Sequence, residues 1–79
     1  MESVQLVKAL EEYKLEVTFK NGERRLFDVA PFLNRGIFER LKDTSLFNQA
    51  YVAYDTVCWP GELDIAPETI YHRSIPMPI

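Results

Sequence analysis

The stretch YKLEVTF, followed at once by Asn21-Gly22 and then by ERRLFDV, limits the possible folds of this chain more than any other feature. Tyr13, Leu15, Val17 and Phe19 alternate with Lys14, Glu16 and Thr18, the period of two of a strand with one wet face. Asn-Gly suits a two-residue type I′ turn, in which both central residues need positive φ, so the two segments are expected to pair as an antiparallel hairpin. A lone hairpin is marginal in water, and the rest of the chain must supply more strands or a cover. VQLVKALEE reads as a third strand or a short helix. The strand is preferred, because Val4 and Leu6 alternate and the hairpin needs a neighbour.

After Asp28, read as a turn or cap residue, the pattern changes. Pro31 opens a short turn, and Asn34-Arg35-Gly36 supplies residues that tolerate positive φ. IFERLK then predicts a helix with Ile37, Phe38 and Leu41 on one face, and Ser45 is placed to cap a further turn holding Leu46 and Phe47. AYVAYDTVCWP returns to extended structure, with Asp55-Thr56 as a tight turn, and Pro67 suits the first position of a last helix, PETIYHR. The order predicts a single small α+β domain over residues 1–74. It holds a mostly antiparallel sheet of four or five strands, covered on one face by one or two short helices. Residues 75–79 form a short apolar tail, and the unclaimed sheet face or this tail favours self-association.

With 79 residues there is room for one core. The chain is 47% hydrophobic, too apolar to stay disordered. No apolar run reaches the ~20 residues of a membrane span, and MESVQLVKALEE resembles no leader, so a cytoplasmic location is expected. The single cysteine, Cys58, excludes an intrachain disulfide and a cysteine metal cage, and reads as a buried small hydrophobe. A net charge of −3 argues against direct nucleic-acid binding. The charges are segregated: Arg24, Arg25, Arg35, Arg40 and Lys42 outweigh Asp28 and Glu39, whereas Asp55 to Tyr71 holds only acids.

The landmarks Tyr13, Leu15, Val17, Phe19, Asn21-Gly22, Phe27-Asp28, Pro31, Gly36, Phe38, Leu41, Trp59-Pro60, Asp64, Pro67-Glu68 and Tyr71 give the chain, from about Val4 to Tyr71, a form that resembles the DUF2442 family of small bacterial proteins. The resemblance implies a fold and a kind of company rather than a reaction, since the family carries no accepted catalytic motif. It also implies that some relatives carry a C-terminal helix-turn-helix, and that short members lie beside another small gene in the manner of toxin–antitoxin pairs. A chain ending at Ile79 is expected to lack the helix-turn-helix.

Asp64, Glu68 and His72, spaced four apart, are the one polar constellation. If PETIYHR is helical, Glu68 and His72 share a side and Asp64 could approach them. A metal site wants three or four ligands, and the simpler reading is acids at the entrance of a helix with His72 and Arg73 at its close, as the helix dipole favours. No catalytic residue, metal or cofactor is assigned. The preferred function is a non-enzymatic interaction or regulatory module that binds a co-encoded protein through Trp59, Asp64, Glu68 and Tyr71. The alternative is a regulator linked to a small ligand or nucleic acid, using the basic surface of Arg24, Arg25, Arg35 and Arg40. An enzyme assembled across a homodimer is the last choice.

Overall fold

The computed structural model describes residues 2–78. The strands are β1 (Val4–Ala9), β2 (Lys14–Phe19), β3 (Arg24–Asp28), β4 (Tyr51–Ala53), β5 (Thr56–Trp59), β6 (Leu63–Ile65) and β7 (Ile75–Pro76), and the helices are α1 (Thr44–Phe47) and α2 (Pro67–Arg73). The class is α+β, as expected, and all strand pairs are antiparallel. The strands divide between two sheets, one of four ordered β1-β2-β3-β7 and one of three ordered β4-β5-β6.

VQLVKA is the expected strand, yet Val4 and Leu6 face opposite ways. A bulge between them pairs Val4 with Phe19 and Leu6 with Thr18, which buries Val4 and leaves Leu6 61% exposed. The first hairpin forms without the type I′ turn. Phe19 N–H donates to Glu23 O at 2.9 Å and Gly22 N–H to Phe19 O at 2.9 Å, and only Gly22, at φ +93°, takes a positive φ there. This is a three-residue loop with glycine in the left-handed position. The physical reason is register. A two-residue loop would set Phe27 opposite Glu16, whereas the observed pairing sets it opposite Leu15, and both are wholly buried.

The inner face of the large sheet carries Leu15, Val17, Phe19 and Phe27. Trp59, Val57, Leu63, Ile65, Phe47, Leu41 and Ile70 join them in one core. The small sheet thus turns Val57, Trp59, Leu63 and Ile65 inward, and the row Tyr51–Cys58–Asp64 lies on its other face. Strand β6 was not foreseen from the sequence. Val4 N–H, donating to Asp55 O at 2.9 Å, ties β1 to the turn of the small sheet.

Between the sheets, IFERLK forms a 3-10 segment, Gly36–Lys42. Three residues per turn align Phe38 with Leu41 and throw Ile37 outward; Ile37 is 55% exposed rather than on the buried face. The cap of α1 is Asp43, whose Oδ1 accepts from Ser45 N–H at 2.9 Å, so Ser45 receives the cap instead of supplying it. Asp28 behaves as a turn residue, its Oδ1 accepting from Ala30 N–H at 3.0 Å. Pro67 opens α2 as expected. Ile75 and Pro76 extend the large sheet, and Met77 N–H donates to Arg24 O at 2.9 Å. Ile79 of the expected tail lies outside the described residues. No helix among the described residues is long and apolar enough to cross a membrane.

Candidate functional site

The structure separates the residues that the sequence groups together. Trp59 is 0% exposed and its Nε1–H donates to Phe47 O at 2.9 Å. That corrects its assignment to a docking surface: an indole sealed in the core with its N–H satisfied anchors the small sheet to α1. Asp64, Glu68 and His72 are exposed, but no hydrogen bond or ion pair among the described residues joins them. No group of three or more His, Cys, Asp or Glu among the described residues could hold a metal.

The basic surface also divides. Neighbours on a strand point to opposite faces, so Arg24 lies on the outer sheet face with Glu16, 3.1 Å away, while Arg25 turns inward, its side chain 13% exposed. Arg35 stacks on Phe32, and the Arg40 guanidinium packs against Gly61, where an added Cβ would lie 2.9 Å from Nη1. Arg24 and Arg25 therefore do not form one basic face.

Arg25 and Tyr71 meet in a latch that the sequence did not reveal. The Arg25 Nε–H donates to Ser74 Oγ at 2.7 Å and Nη2–H to Ser74 O at 3.0 Å. Nη1–H donates to Glu23 at 2.7 Å, and the Tyr71 hydroxyl donates to the other Glu23 oxygen at 2.6 Å. The guanidinium lies 4.5 Å from the Tyr71 ring centre. Bonds from Tyr71 and then Arg25 hold the Glu23 carboxyl below its ordinary range, and the same Glu23 bond raises the Tyr71 phenol. The Glu23 oxygen that accepts from Tyr71 also accepts from Asn21 Nδ2–H at 2.8 Å, and the cluster fastens the C-terminal helix to the first hairpin.

The small sheet carries a different arrangement. A hollow of about 420 Å³ is bordered by Tyr51, Tyr54, Gly61, Glu62 and Asp64, with Cys58 and Trp59 beneath. Tyr51 and Tyr54 are 46% and 91% exposed. Tyr54 and Asp55 both take positive φ, +54° and +64°, so the type I′ turn expected at Asn21-Gly22 occurs here, and Thr56 belongs to β5 rather than to the turn. Left-handed backbone is costly for a bulky residue. Glu62 shares it at φ +65°. Glu62 and Asp64 have no ion-pair partner among the described residues. The Cys58 thiol is pushed up by burial and then by the charge of Asp64, which keeps it protonated and unreactive. Two larger hollows, beside Glu11–Tyr13 and beside Asn21–Arg24, lack this pairing of exposed rings with unpaired acids.

No curated protein and no solved structure matches the chain. The model of one family, "Protein of unknown function (DUF2442)", matches residues 4–76. With the match running over nearly its whole length, the chain belongs to the DUF2442 family.

Proposed function

We propose that the chain is a non-enzymatic protein-interaction module whose docking edge is the outer face of the small sheet. Tyr51, Tyr54, Glu62 and Asp64 form its centre, and Glu68, exposed in the first turn of α2, is assigned to its acidic rim. The partner is a small co-encoded protein, the company that the family resemblance implies. One observation carries the reading: Tyr54 is held at φ +54° with 91% of its surface in water. An exposed ring in a strained conformation contributes little to the fold, and amphipathic aromatics of this kind are enriched in binding hot spots. The acids around it supply steering and selectivity.

Affinity capture from the native cell tests this, comparing the wild-type chain with the double variant Asp64→Lys, Glu68→Lys. The expected result is a stoichiometric protein partner retained by the wild type and lost by the variant, with the variant's circular dichroism unchanged. Equal recovery by both proteins would remove the docking edge from this face.

A further inference from the structure

Resting on the docking edge just described, we infer that its central hollow takes an arginine side chain from a basic segment of the partner protein. The molecule displays the required chemistry in its own latch. There a guanidinium lies 4.5 Å from the Tyr71 ring centre and bonds a carboxylate, Glu23, at 2.7 Å. The hollow brings together two of these three parts, tyrosine rings from Tyr51 and Tyr54 and carboxylates from Glu62 and Asp64. No base of this chain pairs with those carboxylates among the described residues. A planar, weakly hydrated guanidinium stacks on aromatic rings and forks onto carboxylates in a way an ammonium does not. Cys58, buried and protonated, contributes a neutral floor, so the charge of the hollow comes from its acids.

The test uses the full chain, labelled with nitrogen-15, and two blocked peptides, acetyl-Gly-Arg-Gly-amide and its citrulline counterpart, which keeps the shape but not the charge. Saturable shifts confined to the amides of Tyr51, Tyr54, Glu62 and Asp64 are expected for the arginine peptide. The citrulline peptide should bind about tenfold or more weakly, the order expected when a cation–π contact and its carboxylate bonds are both lost. The variant Tyr54→Asn removes the ring from a turn position that asparagine favours, so it folds and loses the response. Equal shifts with both peptides, shifts mapping elsewhere, or no saturable response would overturn the inference. Capture of a partner that is lost with Asp64→Lys, Glu68→Lys but without any arginine-peptide response would leave the docking edge standing and refute the guanidinium occupant alone.

Discussion

At the scale of single residues, Tyr54 shows a choice that stability alone would not make. Both central positions of its two-residue turn need positive φ, and asparagine and glycine meet that need without the Cβ and carbonyl crowding that a tyrosine suffers. Its ring is 91% exposed, so little packing offsets the strain. Tyr54→Asn should therefore raise stability by about 0.5–1 kcal/mol, seen as a higher urea midpoint at unchanged slope. A lower midpoint would mean that the ring packs more usefully than its exposure indicates. Trp59 is the reverse case. An aromatic before a proline looks equally fit for a surface or a core, and only the arrangement of strands decides, because β5 is the middle strand of its sheet and is buried along its length. Reading the sequence singled out Trp59 and Tyr71 and passed over Tyr51 and Tyr54, because pattern alone does not rank aromatic residues by exposure.

At the scale of elements, the Glu23–Arg25–Tyr71–Ser74 latch joins the loop and strand of the first hairpin to the end of α2, across as many as 49 positions of chain. Its pH dependence follows from the two shifts. Glu23 titrates lower in the fold than in the unfolded chain, so its contribution is complete above the ordinary carboxylate range and is lost as pH falls through the depressed value. Tyr71 titrates higher in the fold, so its contribution is complete below the ordinary phenol range and is lost as pH rises through the raised value. Glu23→Gln should flatten the acid limb of stability against pH, and Tyr71→Phe the alkaline limb, in thermal melts across pH. Unchanged limbs would show that the latch does not couple to folding. None of this was legible beforehand, because the four residues are far apart in sequence and Arg25 looks like half of a surface pair. Local elements read well where one periodicity dominated: YKLEVTF, and PETIYHR behind its proline. They read poorly where long-range packing chose between local options, as when burial of Phe27 beside Leu15 overrode the two-residue turn that Asn21-Gly22 would otherwise favour. Strand β6 is three residues long, too short for alternation to mark it.

At the scale of the whole molecule, the question is whether the outer face of the large sheet, which no element among the described residues covers, brings two copies together. Cross-strand pairing arranges that face in three rows, Lys8–Glu16–Leu26–Ile75, Leu6–Thr18–Arg24 and Lys14–Asp28. Its two most exposed apolar residues, Leu6 and Ile75, therefore stand on opposite edge strands with the Glu16–Arg24 ion pair between them. They make no contiguous apolar patch of the kind that marks a stable interface. Four strands about 4.8 Å apart and roughly 20 Å long offer about 400 Å², half of the ~800 Å² per partner that stable association requires. The radius of gyration, 11.5 Å, equals the roughly 11.6 Å expected of a compact chain of this length, so the chain is compact around its own core. Sedimentation velocity at micromolar concentration should accordingly give a monomer, and Leu6→Glu with Ile75→Glu should leave the sedimentation coefficient unchanged. A dimer that these substitutions dissociate would show that the face closes on a second copy, with flanking loops supplying the area that the strands lack.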